Sequence, residues 1–378
     1  MSAPWTKETL GNIATLQRGF DLPSRLRRRG TVPIVTSSGI EGTHCDAKVK
    51  GPGVVTGRYG TIGEVFFVAC DFWPLNTTLY VRDFHGNDPV FLSYLLRTID
   101  FHSHSGKTGV PGVNRNDLHE IVLSLPPIKA EQEAIAAALS DADALINSLE
   151  QLLAKKRQIK QGAMQELLTG RKRLPGFSGE WEPSTLKQVA EIGTGINKPI
   201  SEMGSGTLYV TVQDFYDGTS IRTERLGRIE VSSAEILAKT LEVGDIVFGK
   251  SSVKRAGIGY PSQFLGAGEP VVFSGFTYCA RARDGIADGA FLFYSLRSST
   301  TRRWVIENSQ ASALTNINQR IADAIPVDLP PLPEQSAIAA ILSDVDEEVA
   351  EVESKLSKAR QLKQGMMHQL LTGRIRLV

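Results

Sequence analysis

Two stretches of the chain carry a narrow apolar seam. In the first, apolar side chains recur at Leu139, Ala142, Ile146, Leu149, Leu153, Ile159, Ala163 and Leu167. In the second they recur at Leu342, Val345, Val349, Val352, Leu356, Leu362, Met366 and Leu370. The steps alternate near three and four, the period of a coiled-coil seam. Lys156 and Ala359 hold the weakest place in each seam. Each stretch follows a proline block, LPPIKAEQ (Leu125–Gln132) or LPPLPEQ (Leu329–Gln335). Proline fixes an extended approach from which a helix can start. Each stretch ends at Thr-Gly, with Gly170 and Gly373 as the expected C-cap glycines. About forty helical residues would run roughly 60 Å.

Elsewhere the pattern changes. PIVTSSG, GVVTGRYGTIGEVFFV and NTTLYVR in the first part, and LYVTVQDF, GDIVFGKSS and PVVFSGFTYCARA in the second, are short β-branched or aromatic runs. Turn residues bound them, so they predict strands and hairpins. DPVFLSYLLRT (Asp88–Thr98) and ADGAFLFYSLR (Ala287–Arg297) predict helices. Both variable parts therefore predict α+β modules.

The two seams belong to a duplication. Glu131–Leu174 and Glu334–Leu377 align without a gap at an offset of 203, and 26 of 44 positions are identical. Trp5, Leu10, Ala14 and Gly19 match Trp181, Leu186, Ala190 and Gly195 at an offset of 176, so the second variable part is longer by 27 residues. A helix with one narrow seam cannot bury its face alone. The two copies share one seam pattern, and a whole domain separates them, so antiparallel pairing is the simpler arrangement. The expected object is a rod of two antiparallel helices with a globular domain near each end, pseudo-two-fold symmetric.

Composition narrows the class. The chain has 378 residues, 41% hydrophobic and 22% charged, with a net charge of +1. These values fit a globular chain of two or three domains. No apolar run approaches a membrane span and MSAPWTKETL lacks the layout of a signal peptide, so a cytoplasmic location is expected. Cys45, Cys70 and Cys279 are scattered, which suggests neither a disulfide framework nor a zinc site. There is no G-x-x-x-x-G-K-[ST] loop, no HExxH and no Asn/Asp-Pro-Pro-aromatic tetrapeptide; the glycine-rich GTGINKPIS and GRYGTIG read as turns. His102 and His104 read as surface histidines, with no third ligand at metal spacing. Asp141 and Asp143, matched by Asp344 and Asp346, fall in the first turns of the predicted helices, where the dipole favours acids. Basic residues gather toward the helix ends: Lys155, Lys156, Arg157 and Lys160, then Lys358, Arg360 and Lys363, with Arg171, Arg173, Arg374 and Arg376 beyond. They serve either the dipole or contact with a partner or DNA backbone. Asn114 and Asn318 match across the halves and predict a shared turn.

With its two Trp-led variable domains, LPP-type approaches and LLTG-R exits, the chain resembles the specificity (S) subunit of type I restriction-modification systems. The resemblance covers essentially the whole chain. It is specific at Leu125–Leu174 and Leu329–Leu377, which look like the family's conserved regions, and loose between them. It implies target-recognition domains at residues 1–124 and 175–328, with conserved helical regions at 125–174 and 329–378. It implies no catalysis in this chain. Each variable domain would read one half of a split double-stranded DNA site. The helices would set the spacer and dock two modification (methyltransferase) subunits, which methylate adenine N6. Restriction subunits would complete the complex. S-adenosylmethionine, ATP and magnesium would belong to those partners, so this chain needs no cofactor or metal.

Polar side chains in the loops between strands suit base edges and phosphates. The candidates in the first variable domain are Arg27, Arg28, Arg29, Ser37, Ser38, Arg58, Tyr59, Lys107 and Thr108. In the second they are Gln213, Asp214, Lys250, Ser252, Lys254, Arg255, Gln310, Ser312 and Asn316. Two other readings compete. One is a coiled-coil scaffold for two partner subunits without sequence-specific DNA binding, which the contrast between diverged domains and matched helices opposes. The other is a self-sufficient methyltransferase, which the missing tetrapeptide opposes.

Overall fold

The computed structural model describes residues 4–105, 111–214, 220–311 and 314–377. The chain forms two compact units, Met1–Gln151 with Glu353–Val378, and Leu152–Val352. Both seam-bearing stretches are helical, Lys129–Leu167 and Leu332–Leu370, each of 39 residues. Pro333 sits in the first turn of the second helix, where its missing N–H costs nothing. Gly170 and Gly373 take φ +65° and +70° just past the helices, the left-handed conformation of a C-cap glycine.

The first unit holds residues 129–151 of one long helix and 353–370 of the other. Arg360 Nη2 donates to Glu150 at 2.6 Å, and Lys363 pairs with Asp143. One partner's number falls as the other's rises, so the segments are antiparallel. The unit's main sheet is antiparallel, in the order Thr15–Arg18, Thr78–Asp83, Gly53–Gly57, Val65–Val68. Beside it lies a three-stranded sheet, Gly39–His44, Val32–Thr36, Trp73–Pro74. Thr6–Thr9 pairs with Val122–Leu125 and ties the first strand to the last one before the proline block. The helix Pro89–Leu96 is capped by Asp88, whose side chain accepts from the Phe91 amide at 2.7 Å. Its Phe91, Leu92 and Leu95 share one core with Leu10, Ile135, Leu139, Leu370 and Leu371.

The second unit repeats the plan. Its main sheet runs Ala190–Thr194, Thr277–Ala282, Ile246–Gly249, Pro261–Gln263. Its second sheet runs Gly227–Ile229, Met203–Val210, Val271–Phe273, and Glu182–Thr185 pairs with Pro326–Leu329. Phe291 and Leu292, on a helix capped by Asp288, share a core with Leu167, Leu168, Ile338 and Leu342. Lys156 meets Glu348 at 2.6 Å and Lys160 pairs with Asp346, so residues 152–167 and 332–352 are also antiparallel. The added length of this half goes partly into the helices Ser233–Lys239 and Ser299–Asn308.

The Glu-Gln that opens each repeat has a structural reason. Gln132 is buried; its amide donates to Asn87 Oδ1 at 2.8 Å and to the Pro126 carbonyl at 3.0 Å, and its oxygen accepts from the Asp88 amide at 2.9 Å. Gln335 does the same with the Ile286 and Pro330 carbonyls and the Asp288 amide. Glu131 is also buried, held by Arg376 and, at 3.4 Å, by the Trp5 indole N–H. Glu334 is held by Arg173 at 2.6 and 2.7 Å. Each of these four buried side chains thus has its partner, as burial demands.

Two expectations for the helices are corrected. Asp143 and Asp346 lie several turns inside their helices, too far for the dipole of the first turn to act on them. They are instead bonded to a lysine on the opposite segment and to a tyrosine. Asp141 and Asp344 are exposed. The seam also departs from its apolar pattern: Ile159 is 47% and Leu362 63% exposed. The neighbouring Lys160 and Lys363 turn inward in their stead because each has a carboxylate to meet. The expected turn at Asn114 and Asn318 is a cap: each side chain accepts a backbone amide at 3.0 Å at the start of a one-turn helix.

These differences set measurable stabilities. Leu139→Ala or Leu342→Ala removes a fully buried side chain and should cost about 2–5 kcal/mol in chemical denaturation. Ile159→Ala and Leu362→Ala should each cost under about 1 kcal/mol. Equal losses at all four sites would show that the seam is uniformly packed.

A pH test separates two kinds of group. His119 Nε2 accepts the Leu16 amide at 2.9 Å, and burial, helped by Arg115, holds its pKa below the ordinary 6.5. The folded state favours the neutral ring, so this stability is complete above pH 6.5 and lost as pH falls through the lower folded value. Glu131 is held below its ordinary 4.5, chiefly by Arg376. Burial pushes Asp143 up from 3.8, but Lys363 and Tyr94 outweigh it and bring it below. Their contributions persist until pH falls below about 4.5. Stability should therefore decline between pH 7 and pH 5, and His119→Gln should flatten that decline. An unchanged denaturation midpoint across this range in the wild-type chain would exclude the assignment to His119.

Candidate nucleic-acid interface

In the first unit the inner strand Gly53–Gly57 ends at a turn carrying Arg58 and Tyr59. Their amides donate to the Thr77 carbonyl at 2.8 and 3.1 Å. The Arg58 carbonyl accepts from the Val113 amide at 2.9 Å, and the Gly60 amide donates to the Pro111 carbonyl at 3.1 Å. The segment before the proline block is thereby stitched to the strand end. Gly112 packs on the Tyr59 ring so closely that a Cβ would fall 2.5 Å from it and push the ring aside. The Arg58 guanidinium stacks over Tyr59, 4.5 Å from the ring centre, and the ring stays exposed. Arg58, Tyr59, Arg18 and Arg115 line a cleft of about 600 Å³. Three guanidinium groups beside an exposed ring suit phosphates and a stacked base.

Arg18 and Arg115 escaped the sequence reasoning. They precede Gly19 and follow Asn114, both matched positions, and their counterparts are Thr194 and Gln319. Divergence beside a matched residue was the signal that could have found them.

The other first-unit candidates have mixed surroundings. Ser38 lies beside the same turn, its Oγ 3.3 Å from Thr61 Oγ1, while Ser37 is buried. Arg27 Nε donates to the Leu22 carbonyl at 3.4 Å, and Arg29 is exposed. Arg28 bonds to Asp46, which raises its pKa further. Asp46, Cys45 and His44 form a trio whose potential metal-ligating atoms lie within 4.8 Å. Arg28 already holds that carboxylate, and His44 Nδ1 lies 2.9 Å from the Arg28 amide. Lys107 and Thr108 lie outside the described residues, as does Ser312 in the second half.

The second unit uses the same frame with different walls. Lys250 takes the place of Arg58: its amide donates to the Phe276 carbonyl at 3.0 Å and its carbonyl accepts from the Ile317 amide at 2.9 Å. The side chain turns inward, however. Its Nζ donates to the Gly275 carbonyl at 2.6 Å, 4.6 Å from the Tyr278 ring centre. Burial, with Lys239 adding to it, lowers its pKa. Lys250 is therefore an internal donor.

Strands Ser251–Ser252, Thr315–Asn316 and Gln310–Ala311 form one small sheet. It gathers Ser252, Asn316 and Gln310 from three loops. Ser252 Oγ donates to the Lys254 carbonyl at 2.8 Å, and Asn316 Nδ2 to that of Leu314 at 2.8 Å. Gln213, Ser252 and Lys254 line a cleft of about 720 Å³ with the apolar Val212, Val253 and Leu314. Asp214 is occupied differently, accepting from the Thr211 amide and hydroxyl, both at 2.7 Å, to close a turn. Arg255 is exposed and donates to the Ile306 carbonyl at 3.4 Å. Arg302, not among the candidates, holds that loop through the Ala256 and Gly259 carbonyls at 3.1 and 2.7 Å.

Comparison with known proteins is consistent across sequence and fold. The chain is 24% identical over 302 residues to the type I restriction enzyme MjaVIII specificity subunit of Methanocaldococcus jannaschii, covering 77% of this chain and 71% of that protein. It is 25% identical over 322 residues to the putative MjaX specificity subunit of the same organism, covering 77% and 69%. The crystal structure of a type I restriction-modification S subunit from M. genitalium matches with a TM-score of 0.69 at 16% identity, covering 97% of this chain and 96% of that one. A chain from a study of complex assembly and conformational transition of the type I system matches at 0.55 with 18% identity, covering 99% of both. A family model described as the type I restriction modification DNA specificity domain matches twice, at residues 3–161 and 178–359. The chain belongs to the type I restriction-modification DNA specificity family.

Proposed function

We propose that this chain is the DNA-recognition subunit of a type I restriction-modification complex, in which each unit reads one half of a split site. The observation that carries the reading is a single cradle built twice with unlike linings. In both units the segment before the proline block is bonded to the turn after an inner strand, through Val113 to Arg58 and Ile317 to Lys250. Three arginines with Tyr59 and Asp117 line the first cleft; Gln213, Ser252, Lys254 and Tyr260 line the second, with the apolar Val212, Val253 and Leu314. A guanidinium suits guanine and phosphate, whereas amides and methyl groups suit adenine and thymine. Unlike half-sites follow.

In this reading Leu125–Leu174 and Leu329–Leu377 form an antiparallel coiled coil, pseudo-two-fold symmetric, that sets the spacer between half-sites and docks two modification subunits. The spacing of two readers on one duplex must match the groove repeat. Adenine N6 methylation, with its S-adenosylmethionine, belongs to those partners, and ATP-driven cleavage to restriction subunits. The target adenine must leave the stack to be methylated. This chain then supplies recognition and no chemistry, and works in the cytoplasm. No helix among the described residues is long and apolar enough to cross a membrane.

The test uses the chain with its methyltransferase partner. Mapping N6-methyladenine across the source genome, with and without this gene, should reveal the loss of one bipartite motif with adenines on opposite strands. Loss of a short continuous motif would sink the two-reader model. With that motif as a duplex, Arg58→Ala and Arg115→Ala should each weaken binding and flatten the dependence of log K on log salt by about one unit for each phosphate contact removed. A complex that binds DNA without discriminating sequences would favour the scaffold reading instead.

A further inference from the structure

Resting on that reading, we infer that Asp143 and Asp346, each with the lysine and tyrosine bound to it, are positioning residues that fix the spacer length the complex accepts. The two carboxylates are equivalent at the repeat offset, and each is held from two directions. In the first unit Tyr94 Oη donates to Asp143 Oδ2 at 2.7 Å, and Lys363 Nζ donates to Oδ1 at 2.5 Å. Arg97 lies 4.0 Å away. In the second unit Tyr294 Oη donates to Asp346 Oδ2 at 2.9 Å, and Lys160 pairs with the same carboxylate. Each tyrosine is buried, and its hydroxyl also lies 3.4 Å from a serine of the long helix, Ser140 or Ser343.

Each cluster therefore joins three elements. Tyr94 and Tyr294 stand on the short helices that pack against their unit's main sheet, the aspartates on one long helix, the lysines on the other. One carboxylate fixes both the register of the antiparallel segments and the seat of the recognition fold on them. An apolar seam tolerates a slip of seven residues, because leucine meets leucine again; a single polar group in the seam does not. Such a slip would move one helix by about 10 Å along the other, the length of roughly three base pairs at 3.4 Å each.

The two clusters also agree with each other. Seventeen residues separate Asp143 from Lys160 on one helix, and seventeen separate Asp346 from Lys363 on the other. Carboxylate and lysine thus stand at the same spacing along both copies of the repeat. This explains why lysine displaces Ile159 and Leu362 from the seam although an apolar residue would pack there more cheaply. The seam gives up apolar contact at two matched places and gains a defined register.

The experiment measures spacer preference in the full complex with the methyltransferase partner. Duplexes carry the two half-sites with the native spacer and with spacers shorter or longer by one to three base pairs. The intact complex should prefer its own spacer at least about 100-fold. A variant with Asp143→Leu, Lys363→Met, Asp346→Leu and Lys160→Met keeps the seam apolar. It should hold affinity at the native spacer within about tenfold while its discrimination falls below about tenfold. Tyr94→Phe with Tyr294→Phe removes only two hydroxyls, so its fold is safe, and its discrimination should fall at least about threefold. A merely structural role would weaken binding to all spacers in parallel. Parallel weakening, or undiminished discrimination in the tyrosine variant, overturns the proposal. If the intact complex itself shows no spacer preference, the two-reader reading fails, which is a distinct result.

Discussion

Everything in the first unit rests on a carboxylate that cannot be buried alone. Glu131 sits in the first turn of its long helix with its side chain almost wholly enclosed. An unpaired ionised carboxylate in such a place would be strongly unfavourable. Its partner is Arg376, nearly the last residue of the chain, with the Trp5 indole closing the other side. The first and last segments of the sequence therefore meet on one buried charge. Arg173 completes Glu334 in the second unit in the same way. The consequence is organisational: each unit takes the opening of one repeat and the exit of the other. Duplication here multiplies domains and also exchanges the pieces that finish them.

That exchange explains why the repeated segments stayed alike. Glu131 and Glu334 need an arginine from the opposite repeat, and Gln132 and Gln335 must bond carbonyls and amides of the adjacent fold. Gly373 and Gly170 pack against the Trp5 and Trp181 rings in a left-handed conformation that a Cβ would strain. A change on one repeat alone would strand its partner on the other. None of these reciprocal bonds falls in the loops that carry Arg58 and Ser252, which could diverge.

Much of this was legible in the sequence, for a physical reason. A long amphipathic helix writes its period into every turn, and a gapless repeat fixes its ends, so the helices and their C-cap glycines could be read directly. The inward lysines could not. Periodicity treats Ile159 as seam and Lys160 as surface, because it scores each residue alone, whereas Lys160 turns in only because Asp346 is waiting. The candidate loops were harder still. Arg28, Asp214 and Lys250 are polar loop residues on paper, yet Asp46, Thr211 and the Gly275 carbonyl engage them. Arg18 and Arg115 are 97 residues apart and reach one cleft through sheet pairing that no local pattern announces.

The same contrast separates the loop frames of the two units. Their frames share two backbone bonds, at Arg58 and at Lys250, so the two units differ chiefly in what each frame presents. Replacing Arg58 by Lys250 shows how: the shorter reach and the nearby Gly275 carbonyl draw the amine inward, and the position falls silent toward solvent. A loop at the small sheet of Ser252, Asn316 and Gln310 then supplies amides and hydroxyls where the first unit offers guanidinium groups. A frame that holds its backbone by fixed bonds while side chains turn in or out can change what it presents without changing how it folds. That freedom belongs to the loops only because the helices and their buried charges leave none to the rest.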